Sequence, residues 1–115
     1  MATERVEITF AARSRPTPED EAGQYARDKR AMEWAYPKED GIAPPTPWWR
    51  RFPGVEVGDT LADTLARHLR ERAAVVEEAS PTRIVVADGY ERVLHHLDEY
   101  GHCFDRTMRR IADGP

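Results

Sequence analysis

From Tyr90 onward, Tyr90, Leu94, Leu97, Gly101, Phe104, Met108 and Ile111 follow one another at spacings that alternate four and three. That repeat is one face of an α-helix, and it predicts a continuous amphipathic helix over residues 90–111 that closes the fold. Gly101 is the weak point of the seam, because glycine inside a helix costs about 1 kcal/mol relative to alanine. It marks either a break or a close backbone approach. Just upstream, Asp88-Gly89 carries two meanings: a hairpin turn between apolar runs, or, with Glu91, an acidic version of the helix capping box. The unbroken seam favours the helix.

At the other end, Val6, Ile8 and Phe10 alternate with Arg5, Glu7 and Thr9, the period of a half-buried strand. Ser14-Arg15-Pro16 interrupts it. Thr17-Pro18-Glu19-Asp20 then supplies a capping hydroxyl, a proline at the first helical position and acids for the first turn. A helix over residues 18–36 follows, with Ala22, Tyr25, Ala26, Met32 and Tyr36 on its inner face and Lys29 reaching outward among them. Prolines 37, 44, 45, 47 and 53 mark an extended connector of about residues 37–54. It holds Trp48, Trp49 and Phe52, so it is expected to lie within one domain spanning 1–115 instead of joining two.

Val55-Glu56-Val57 reads as a short strand. Thr60, with Asp63 three residues on, opens a second helix whose face carries Leu61, Leu65, Leu69, Ala73 and Val76 and which reaches about Ala79. Arg72 lies in that face, either snorkelling or paired with an acid. Ser80-Pro81 ends it. Residues 82–87, rich in β-branched side chains, form a central strand covered on both faces. The resulting order, β-α-(short β)-α-β-α, is a small α+β domain: two or three strands packed against amphipathic helices, the last one long.

With 40% hydrophobic and 33% charged residues and a net charge of -4, the composition is that of a globular chain and not a disordered one. No apolar run is long enough to span a bilayer, and the first residues lack a basic start followed by an apolar stretch, so export by a signal peptide is not expected. A lone Cys103 suits a reducing, cytoplasmic setting. Fifteen of the 17 basic residues are arginine and asparagine is absent, a bias read as GC-rich coding of a bacterium or its phage. The acidic balance argues against broad nucleic-acid binding.

Two clusters carry candidate chemistry. His95, His96, Asp98, Glu99, His102 and Cys103 are metal-ligand types within three helical turns, with His95, Glu99 and His102 on one side. None is at a standard zinc spacing. A solvated face is expected, with Asp98 supporting His102 and Asp105 supporting Arg109, and no cofactor or metal. The second cluster is Trp48-Trp49-Arg50-Arg51-Phe52, a mix of residue types enriched at binding hot spots. At least one tryptophan and Phe52 are expected to plug the core. The leading expectation is a non-catalytic interaction module, an accessory, regulatory or assembly subunit. It would bind a protein partner, or a second copy of itself, through residues 48–52 and the C-terminal helix. The alternatives are a small metal or thiol enzyme using His95, Glu99, His102 or Cys103, and a nucleic-acid accessory protein using Arg50 and Arg51.

Overall fold

The computed structural model describes residues 4–36, 46–99 and 104–111. Gly101, His102, Cys103 and the first part of the proline-rich connector lie outside them. In chain order the elements are β1 (Arg5–Phe10), α1 (Pro18–Ala35), α2 (Trp48–Arg51), α3 (Leu61–Glu71), β2 (Val75–Ser80), β3 (Arg83–Ala87), α4 (Tyr90–Asp98) and β4 (Arg106–Ile111). The four strands form one antiparallel sheet in the order β2-β3-β1-β4. With α1 and α2 set aside as an insertion, the chain runs β-α-β-β-α-β. Helix α3 joins β1 to β2 around the place later filled by β3, and α4 joins β3 to β4 around β1. This is the split β-α-β, or ferredoxin-like, plan on an α+β fold. Among the described residues, no helix is long and apolar enough to cross a membrane.

The alternation in β1 sorts its side chains as expected. Val6 pairs with Val86 and Ile8 with Ile84, so one sheet face presents a continuous aliphatic surface. Leu61, Leu65 and Leu69 of α3 and Val93 and Leu97 of α4 close over it, each fully buried. Burial of each such side chain is worth about 1.5–3 kcal/mol. Helix α3 starts where Thr60 accepts a hydrogen bond from the Asp63 amide at 3.0 Å, as its capping-box spacing predicts.

The sequence expectations need several corrections here. There is no continuous helix over residues 90–111: α4 stops at Asp98 and Arg106–Ile111 is a strand hydrogen-bonded along β1. The physical reason is the free edge of β1, whose backbone groups need partners. Phe104 and Met108 still reach the core, but Met108 lies opposite Ile8 while Ile111 lies opposite Arg5. These two residues of the supposed seam thus point to opposite faces of the sheet. Of the residues expected to pair along that helix, Arg109 meets Glu7 and Asp98 meets Arg106; His102, the expected partner of Asp98, lies outside the described residues.

The second helix ends at Glu71, not near Ala79, and Val75–Ser80 is an edge strand. Its partner β3 is central, as expected, but helices α3 and α4 cover only one of its faces. Val55-Glu56-Val57 is not a strand; it leads into a turn in which Gly58 has φ +91°. Finally, α1 forms within one residue of its expected bounds, capped by Thr17, yet none of its residues is buried. Its supposed inner face, including Ala22, Tyr25 and Ala26, is open to solvent. The Asp88-Gly89 ambiguity resolves as a helix start with Gly89 at the cap position.

The end of α3 explains the missed strand. Ala73 has φ +62°, its amide bonds the Arg70 carbonyl at 3.0 Å, and the Ala74 amide bonds the Leu69 carbonyl at 3.0 Å. That pair of bonds is the Schellman termination, normally built on glycine. An alanine there bears a left-handed backbone costing about 1–2 kcal/mol. Ala73→Gly is therefore expected to stabilise the protein by about 0.5–1 kcal/mol after the greater unfolded-state freedom of glycine is counted. Thermal unfolding should show a midpoint raised by about 3 °C; a lowered midpoint would refute the strain assignment.

Candidate partner-binding surface

Between β1 and α3 the chain leaves the sheet and returns through a backbone stem. The Arg15 amide bonds the Asp59 carbonyl at 2.9 Å, the Gly58 amide bonds the Arg15 carbonyl at 2.9 Å, and the Leu61 amide bonds the Arg13 carbonyl at 2.8 Å. Ser14 and Thr60 form a bridge in the same stem. The described residues that the stem encloses, α1 and α2 among them, thus leave and rejoin the sheet at one end.

Within this insertion the aromatic segment divides its labour. Trp48 is 2% exposed and Phe52 4% exposed, both in the main core. The Phe52 ring meets the buried His68 ring edge-on at 5.3 Å. Trp49 sits edge-on to Trp48 at 6.0 Å and is only half-buried, Arg51 is exposed, and Arg50 Nη2 reaches Glu21 of α1 at 2.6 Å. That contact ties α1 to α2. The Arg50 guanidinium holds the Glu21 carboxyl below its ordinary range, with a smaller contribution from the Trp49 indole. The indole N–H itself is buried and meets no acceptor at hydrogen-bond geometry.

Helix α1 carries the exposed apolar surface. Tyr25 is 51% exposed, Tyr36 55% and Trp34 87%. At 100° per residue, Tyr25, Met32 and Tyr36 share one side and Trp34 lies on the other. Large aromatic side chains left in water lose the stabilisation that burial supplies. Their signal in the sequence was present, but reads equally as a core-facing stripe. Trp34 lies off that stripe, so its spacing carries no such signal.

The cluster of His95, His96, Asp98 and Glu99 is assembled differently from its sequence pattern. Glu99 is engaged by Arg72, Nε to Oε2 at 2.5 Å and Nη2 to Oε1 at 2.6 Å, a bidentate pair that depresses the Glu99 pKa. His68 Nε2 lies 2.7 Å from the His96 carbonyl oxygen, which assigns the proton to that nitrogen. His95 points to solvent, and the His96 ring, whose Nε2 is buried without a partner, is held below its ordinary pKa by burial. Among the described residues no three His, Cys, Asp or Glu side chains converge as a metal site. His102 and Cys103 lie outside those residues.

The open face of the sheet is organised by charge. Glu7, 7% exposed, accepts from Arg83 Nε at 2.5 Å and from Arg109 Nε at 2.6 Å, and Arg83 also pairs with Glu78. The row Glu78-Arg83-Glu7-Arg109 thus crosses all four strands with alternating sign. Arg5 pairs with Glu77 and Arg110 with Glu4, so these arginines of the sheet are matched by carboxylates instead of forming the bare basic stripe that phosphate binding needs. Comparison with protein-family models, with curated proteins and with solved structures found no match for this chain, which leaves its own geometry to carry the functional reading.

Proposed function

We propose that the protein is a non-catalytic interaction module, an accessory or regulatory subunit that binds a protein partner through α1 and the adjoining α2. The observation that carries this reading is an 18-residue helix without a buried residue that presents Tyr25, Trp34 and Tyr36 more than half exposed. Aromatic anchors of this kind dominate binding energy at interfaces. Trp49 and Arg50 border the Tyr25 side of this helix, Arg51 is exposed next to them in α2, and Trp48 and Phe52 act from beneath by fixing α2 to the core. A second copy of the chain is the variant of this reading in which the partner is the protein itself. A cytoplasmic setting fits a chain with one cysteine.

The test places a photo-crosslinking residue at position 30, one turn from Trp34 on the same side of α1 and exposed, in the native host and follows capture with the remaining sequence intact and with Tyr25→Ala or Trp34→Ala added. Each substitution should leave the unfolding midpoint within about 1 °C, because the side chains are exposed. Capture of the crosslinked partner should drop by about tenfold or more, the loss of a hot-spot aromatic. Undiminished capture by both variants, or no specific crosslink from position 30, would sink the reading.

A further inference from the structure

We propose that the cleft between α1 and residues 46–50 receives an arginine side chain of a partner protein, its guanidinium set against the Tyr25 ring and the Asp28 carboxylate. The inference rests on the reading of α1 as a docking element and names the chemistry that this side of the helix selects. The cleft has a volume of about 670 Å³ and is walled by Ala22, Tyr25 and Asp28 of α1 and by Pro47, Trp49 and Arg50 across from it. That is the size of a site for one or two side chains.

Charge decides what enters. The cleft contains two carboxylates, Glu21 and Asp28, and one cation, Arg50. Arg50 is bound to Glu21 at 2.6 Å, which leaves the Asp28 charge over. Asp28 Oδ1 accepts a hydrogen bond from the neutral Gln24 amide at 2.7 Å, and no cation pairs with it among the described residues. An apolar visitor would strip water from Asp28 and return nothing. An anion is disfavoured as well: Glu19, Asp20 and Glu21 fill the first turn of α1, the end whose dipole would otherwise attract it.

Geometry favours a planar cation over a compact one. Tyr25 and Asp28 are three residues apart on α1 and therefore neighbours on its surface, placing a π face beside a carboxylate. A guanidinium stacks on the first while donating two parallel bonds to the second; an ammonium uses only a point contact. The protein already combines a ring and a carboxylate around one guanidinium elsewhere: Arg110 lies over the Tyr90 ring at 4.6 Å and donates to Glu4 at 2.6 Å.

The test titrates the ¹⁵N-labelled full chain with acetyl-Gly-Arg-Gly-amide and with the same peptide carrying neutral citrulline. The arginine peptide should shift the Trp49 indole N–H and the Tyr25 and Asp28 amides saturably. Binding should weaken by about fivefold or more in Asp28→Asn, in Tyr25→Ala and with citrulline, and should fall with added salt. Absence of movement at these three signals, equal binding of the citrulline peptide, or unchanged binding by Asp28→Asn would overturn the proposal. Such a failure is separable from failure of the docking reading, because the Trp34→Ala arm of the crosslinking experiment acts on the opposite side of α1, away from the cleft.

Discussion

Trp48→Ala is expected to lower the unfolding free energy by about 4 kcal/mol, within the range for deleting a fully buried large aromatic. The loss exceeds the transfer of one indole. Trp48 is the buried residue of the four-residue helix α2, which would otherwise unravel: helices this short have no independent stability. Its removal takes the edge-on contact with Trp49 and loosens the anchor through which Arg50 holds Glu21. Urea denaturation at neutral pH followed by circular dichroism provides the measurement, and Trp34→Ala is the matched control. With 87% of its surface already in water, Trp34 should change stability by no more than about 0.5 kcal/mol. Two tryptophans in one insertion thus differ nearly an order of magnitude in energetic consequence. Similar small losses for both would mean that the connector does not plug the core.

Glu7→Gln carries the second large effect, about 2 kcal/mol, because it removes the charge that accepts two guanidinium bonds across three strands. Arg109 can return to water, being 66% exposed at its side chain, so the loss stays below that of an enclosed charge pair. The same group sets the acid limit of the fold. Hydrogen bonds from Arg109 and then Arg83 hold the Glu7 pKa below its ordinary 4.5. A carboxylate with a depressed folded pKa contributes stability that is present above 4.5 and is lost as pH falls through the folded value. Glu99 on Arg72 and Glu21 on Arg50 act in the same sense, more weakly because solvent screens them.

His96 adds an earlier step of the same sign. Burial lowers its pKa from 6.5, so below that pH the unfolded chain takes up the proton first and stability falls on acidification. Denaturant midpoints measured between pH 8 and pH 3 should therefore decline in two stages. Glu7→Gln should flatten the lower stage, and His96→Gln the upper. A midpoint independent of pH across the whole range would contradict both assignments.

Much of this fold was legible where the signal was local. Thr17 and Thr60 were identifiable as caps because a hydroxyl three residues before an acid, at the start of an apolar or proline-led segment, satisfies amides that no other helical group can reach. The alternation of Val6, Ile8 and Phe10 specified both the strand and its buried face. The β2 strand was hidden because Val75, Val76 and Ala79 continue the spacing of α3. The actual stop, at Ala73, uses a left-handed alanine where glycine would have announced it. Glu77 and Glu78 looked like a solvated helix face, and they are equally suited to an exposed edge strand, where charge discourages pairing with other chains. That strand is further broken by a register shift between Val76 and Glu78.

For the candidate surface, residue types were readable and placement was not. The Trp48–Phe52 cluster looked like one hot spot, yet burial splits it, with Trp48 and Phe52 inside and Arg50 and Arg51 outside. Conversely, Tyr25 and Tyr36 looked like a core-facing stripe and face water, because the sheet below is already closed by α3 and α4. Periodicity states which residues share a face. It does not state whether another element is free to cover that face.

By itself, then, the sequence determined the caps of α1 and α3, the strand β1 with its inward residues, the start of α4 and the α+β class, since each follows from hydrogen-bonding and side-chain periods within a few residues. Tertiary structure alone decided that residues 106–111 would be a strand, that Glu7 would link Arg83 and Arg109, and that α1 would stand uncovered. Each of these depends on a partner about 30 or more residues away in the chain. The reach of a local pattern ends at its own helical turn or strand, whereas the unpaired edge of β1 offered hydrogen bonds that the weak helical preference of residues 106–111 could not match.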